Sequence, residues 1–102
     1  MNRYRVRLTA GAEADLLRLY DFLLEHDLAI AEQALEVIKD ALRLLEQFPF
    51  SCRKAADGQD GPRLREMIIP FGAAGYVALF EIENARTVTI LAVRHQRESD
   101  YH

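Results

Sequence analysis

Two apolar stripes of helical period lie back to back between residues 16 and 48, with only a short link near His26-Asp27 between them. Leu16, Leu19, Tyr20 and Leu23 follow the i, i+3, i+4, i+7 spacing of one helix face, and Leu17 and Leu24 widen it. The second stripe runs through Ala31, Ala34, Leu35, Ile38, Ala41, Leu42, Leu45 and Phe48, keeps to one face for about five turns, and is closed by Pro49. Thr9 and Asp27 stand where N-caps belong. Ala31, Ala34 and Ala41 let the two helices approach closely, and so short a link makes them an antiparallel αα-hairpin. A hairpin that is apolar along one side must bury that side against a second layer.

The rest of the chain supplies that layer. Residues 3–8 alternate strictly, with Tyr4, Val6 and Leu8 opposed to Arg3, Arg5 and Arg7, as in a half-buried strand. Residues 49–62 hold Pro49, Gly58, Gly61 and Pro62 and read as a loop. Strand patterns follow at 63–70, 76–83 and 87–94. Gly72 and Gly75 supply the first turn, and Asn84-Ala85 the second, since Asn tolerates positive φ. The order β-α-α-β-β-β predicts a two-layer α+β domain, with the N-terminal αα-hairpin packed on a four-stranded antiparallel sheet, and residues 1–102 make one domain.

Composition narrows the chemistry. Half of the 102 residues are hydrophobic and 28% are charged, the balance of a folded soluble domain. Cys52, the single cysteine, cannot close an internal disulfide, and no Cys/His spacing suits a metal. There is no P-loop and no dinucleotide glycine motif, so no cofactor is expected. The opening MNRYRVRLTAG has no apolar run, no stretch is long enough for a membrane span, and the cytoplasm is the expected compartment.

Charge is uneven. Residues 1–10 carry three arginines and no acid, whereas 11–50 carry nine acids and three bases. Residues 51–102 carry seven of each. Free nucleic-acid binding needs a clearly basic surface to displace counterions, and a net charge of −3 weighs against it. The Arg3, Arg5, Arg7 stripe either protects a strand edge or meets an acidic partner. Leu28, Ile30, Val37 and Leu44 fall off the main stripe of the second helix, a surplus of apolar surface that suggests a partner site.

The segments RLREMIIPFGAAGYVALFEIE and VTILAVRHQRESDY resemble the RelE/ParE superfamily of bacterial toxins, the toxin halves of type II toxin–antitoxin (plasmid stabilisation) modules. Arg63-Leu64-Arg65, the aromatic pair Tyr76 and Phe80, and the ending Val93-Arg94-His95-Gln96-Arg97-Glu98-Ser99-Asp100-Tyr101 carry the likeness, and the ending is similar to the ParE branch. The resemblance implies a growth-arresting toxin that inhibits DNA gyrase by protein–protein binding and forms a hetero-oligomer with a ParD-like antitoxin. The expected target- or antitoxin-binding residues are Arg63, Arg65, Arg94, His95, Arg97, Glu98 and Tyr101.

The alternative is a RelE-type, ribosome-dependent mRNA endoribonuclease. Such a reaction needs proton transfer plus cations around a crowded phosphorane. Arg65, Arg94, His95 and Tyr101 would serve, with Glu98 and Arg97 beside them. RelE-like enzymes surround that site with basic residues, and this chain has only Lys39 and Lys54 as lysines. The plainer reading of His95 is a strand-end histidine that hydrogen-bonds and fixes the tail, and that of Arg63 and Arg65 is a salt-bridged sheet edge. A third reading is a toxin-fold remnant that serves only in an antitoxin complex.

Overall fold

The computed structural model describes residues 3–54 and 64–97. Strand β1 (Arg5–Leu8) leads directly into helix α1 (Ala10–Leu24), and helix α2 (Leu28–Leu44) follows. A single 3-10 turn at Pro49–Ser51 precedes the two-residue strand β2 (Arg53–Lys54). Strands β3 (Leu64–Phe71), β4 (Ala74–Ile82) and β5 (Thr87–His95) complete the chain's α+β architecture. Both helices start as their caps dictate. The Thr9 side chain accepts from the Ala12 N–H at 3.0 Å, and Asp27 accepts from Ala29 at 2.8 Å and Ile30 at 3.2 Å.

The sheet has five strands in the order β1-β5-β4-β3-β2 and is mixed, not wholly antiparallel. The expected meander β3-β4-β5 is antiparallel, but β1 pairs parallel with β5, Val6 opposite Val88 and Leu8 opposite Ile90. Alternation in 3–8 specifies which face of β1 is buried and says nothing of its neighbour. The fifth strand comes from the expected loop, where Arg53 and Lys54 pair with Glu66 and Arg65. Two residues are too few to show a period in sequence.

Helix α2 ends at Leu44, before Pro49, its last carbonyls taken up in tightened turns. Leu45 remains buried, whereas Phe48 is exposed. Leu17 and Leu24 are also exposed, so they do not widen the α1 stripe. Of the off-stripe residues, Val37 packs against the core while Leu28, Ile30 and Leu44 face outward.

The core lies between the helical hairpin and one sheet face. Phe80, Ile90, Val88 and Val93 are wholly buried there with Ile69, Leu45 and Ala34. The β3–β4 turn is Gly72-Ala73, with Gly72 at φ 61, as a type II′ turn requires at its first central position. Gly75 belongs to β4 instead of the turn. No described non-glycine residue has positive φ, so Asn84 does not turn the chain that way. Its side chain instead accepts from the Arg86 N–H at 2.8 Å, an Asx-type closure.

Candidate functional site

A one-residue irregularity in β5 decides which side chains meet. Leu79 pairs with Ala92 and Phe80 with Ile90, leaving Leu91 as the extra residue of a β-bulge. Before the bulge, Val88 and Ile90 face the helices; after it, Val93 and His95 do. Arg94 therefore lies on the outer face, opposite Val77. His95 lies opposite Tyr76 on the helix side, its ring edge-on to the tyrosine at 5.5 Å and 84°.

Where β1 ends, α1 takes over the edge of β5. The Thr9 N–H donates to the Ile90 carbonyl at 3.0 Å, and its hydroxyl reaches the Leu91 carbonyl at 3.4 Å. Asp15 accepts from the Val93 N–H at 2.9 Å and lies 3.7 Å from Arg18. One carboxylate thus ties the helix to the strand just past the bulge. Asp15→Ala leaves a strand N–H without its acceptor and is expected to lower stability by about 1–3 kcal/mol. Asp15→Asn keeps an acceptor oxygen and should lose less than half as much, as urea midpoints will show.

Between the second half of α1, the β3–β4 turn and the end of β5 lies a groove of about 650 Å³. Leu19, Phe22 and Phe71 form its walls and Tyr76 its floor; Arg18, His95 and Arg97 contribute its basic groups. The Arg97 N–H donates to His95 Nδ1 at 3.1 Å, which makes that nitrogen an acceptor. The Gln96 N–H donates to the Gly75 carbonyl at 2.8 Å, holding the strand end against β4. Burial pushes the Tyr76 phenol above its ordinary value, so the floor is neutral and mostly apolar.

Arg65 is not at this groove. It shares the helix-side face with Met67 and Ile69, and β3 lies inside the sheet between β4 and β2, so Arg65 is no edge residue. Its guanidinium donates to the Cys52 carbonyl at 2.7 Å and sits 5.2 Å from the Phe50 ring centre. It clamps the 3-10 turn and β2 onto the sheet. The neighbouring Cys52 thiol is raised above its ordinary value, burial outweighing the Ser51 hydrogen bond and the nearby Arg65 charge, the reverse of an activated nucleophile. On the outer face, Arg53 pairs with Glu66 at 3.2 Å. Arg7 lies 3.8 Å from Glu83, which also accepts from the Thr89 hydroxyl. Arg5 and Arg7 are exposed along the edge strand β1, and Arg3 is exposed just before it.

Of the expected site residues, the structure brings His95 and Arg97 together, and sets Arg94 and Arg65 elsewhere. Arg63, Glu98 and Tyr101 lie outside the described residues. Sequence reasoning passed over Asp15, Arg18, Phe22 and Phe71. Two of these carried a signal: Arg18 is the one base between residues 11 and 38, and Phe22 is an aromatic residue off the α1 stripe.

Comparison with known proteins agrees with this architecture. No curated protein sequence matches the chain. Among solved structures, a chain of the chromosomal ParDE TA system from P. aeruginosa superposes with a TM-score of 0.70 at 19% identity, covering 93% of this chain and 98% of that one. Residues 6–100 match the family model described as the ParE toxin of the type II toxin-antitoxin system, parDE. Since that match spans nearly the whole chain, from β1 through the groove-lining end of β5, the protein belongs to the ParE toxin family of type II toxin–antitoxin systems.

Proposed function

We propose that this ParE-family toxin acts in the cytoplasm as a protein ligand of DNA gyrase, and that a ParD-like antitoxin neutralises it by covering surface the free toxin exposes. The observation that carries this reading is that Arg65 and Arg94, two cations the ribonuclease reading sets beside His95, lie away from its groove. Arg94 and His95, successive in β5, lie on opposite sheet faces, the bulge at Leu91 setting Arg94 outward, and Arg65 is committed to the Cys52 carbonyl. A ribonuclease site needs its proton-transfer group and its cations around one phosphate. A binding surface has no such need for convergence, and the largely apolar groove with basic groups suits protein contact.

The test is a paired assay on toxin freed from antitoxin. One arm follows supercoiling and DNA cleavage by gyrase, the other follows cuts in ribosome-bound message. Gyrase inhibition with intact message is expected; cut message with untouched gyrase would overturn the proposal. Growth arrest on induction, relieved by the antitoxin, is the cellular counterpart, and its absence together with inactivity in both arms would favour a remnant. His95→Gln sharpens the distinction. It should lower gyrase inhibition by less than about tenfold, against the 10²–10⁴-fold loss expected on removing a proton-transfer group.

A further inference from the structure

The turn that closes α2 shows its aromatic residues to solvent. In Phe48-Pro49-Phe50 the proline is wholly buried, while the phenylalanines on either side of it are 57% and 60% exposed. Leu44, whose carbonyl accepts from the Phe48 N–H at 2.9 Å, is 59% exposed and adjoins them. The turn is nevertheless held firmly. The Tyr4 N–H donates to the Glu46 carbonyl at 2.6 Å, the Ser51 hydroxyl donates to the Phe48 carbonyl at 2.7 Å, and Arg65 holds the Cys52 carbonyl. The Phe50 ring stands 6.4 Å from that of Tyr4 and packs against the Arg65 guanidinium. Aromatic side chains displayed on a fixed backbone lose little freedom on docking, as the anchors of an interface must.

Charge indicates the occupant. Residues 11–42 hold eight acids and two bases, whereas 43–54 hold three bases, Arg43, Arg53 and Lys54, and the single acid Glu46. Arg3, next to Tyr4, adds a fourth exposed cation. An apolar centre with a basic rim is complementary to an acidic protein surface that is itself apolar at its centre. A single nucleic-acid strand fits less well, because it needs a row of open ring faces. Here Leu44 has no ring, and Arg65 lies over the Phe50 ring. The patch is also distinct from the groove. Strand β3 runs from Arg65, beside Phe50, to Phe71 at the groove wall, six residues and roughly 20 Å further on. Antitoxin and target therefore have two separate surfaces to occupy. We infer that Leu44, Phe48 and Phe50 with their basic rim form the surface by which the toxin docks on an acidic, apolar-centred site of gyrase, an inference that rests on the gyrase reading above.

Inhibition of gyrase supercoiling, titrated with purified toxin variants, tests this. Leu44→Ser combined with Phe48→Ser should raise the concentration for half-inhibition by about tenfold or more. Phe48→Ser alone is the milder version, and far-UV circular dichroism confirms that these exposed substitutions leave the fold intact. Arg3→Glu with Lys54→Glu should also weaken inhibition, and added salt should weaken the wild type more than this variant. Ile68→Ser, at an exposed apolar residue on the outer sheet face, should leave inhibition unmoved. A Leu44→Ser, Phe48→Ser toxin as potent as the wild type overturns the inference while the gyrase reading stands. The same holds for a charge-reversed variant of unchanged potency, or an equal fall for Ile68→Ser. If potency is kept and antitoxin affinity falls instead, the patch belongs to the antitoxin; if binding of a single-stranded oligonucleotide falls instead, it belongs to nucleic acid. Either result overturns the inference. A wild-type toxin that leaves gyrase untouched removes the functional proposal itself, and this docking surface with it.

Discussion

Gly75→Ala is expected to lower stability by roughly 3–5 kcal/mol, a large share of the 5–15 kcal/mol typical of a domain. Gly75 has φ 124, outside the range that residues with a Cβ readily adopt. A Cβ there would stand 2.3 Å from the Ile69 carbonyl oxygen and 2.9 Å from the Phe71 nitrogen. Both atoms are backbone within β3, so relief requires the β3–β4 pair to separate. The damage should also reach the groove, because the Gly75 carbonyl receives the Gln96 N–H between His95 and Arg97. Gly72→Ala is the control: at φ 61 with nothing within 4 Å, it should cost only about 1–2 kcal/mol. Urea titrations of the two variants test this directly, and equal midpoints would contradict the account.

Phe80→Ala is expected to cost about 3–5 kcal/mol. The ring is wholly buried on β4, opposite Arg65 on one neighbour and Ile90 on the other. Removing it leaves a void that the sheet backbone cannot close and strips packing from the strand that aligns β3 with β5. Phe80→Leu should lose clearly less, because most of the volume is retained. A loss below about 1 kcal/mol for the alanine variant would mean that the core can collapse around position 80.

What was legible in the sequence was whatever repeats locally. Thr9 and Asp27 cap the helices as their positions foretold, and the stripe from Ala31 to Leu45 is buried as its period required. The three C-terminal strands lie within two residues of their expected bounds where described. Non-local relations were hidden. Nothing in 3–8 announces a parallel partner 82 positions on, and Arg53-Lys54 is too short to declare itself a strand. The site suffered most. Closeness in sequence groups Arg94 with His95, whereas successive residues of a strand face opposite ways. Arg18 and Phe22 reach the groove from a helix more than 70 residues away from His95.

The extra residue at Leu91 has a consequence for how such a surface can diverge. Everything downstream of it is read one step out of phase with the upstream strand, so its removal would swap Arg94 and His95 between helix side and outer side without altering either residue. A ParE relative shortened by that one position would show a cation to whatever lies in the groove where this chain shows an imidazole. Partner choice could then change through strand length, with the composition of the strand untouched.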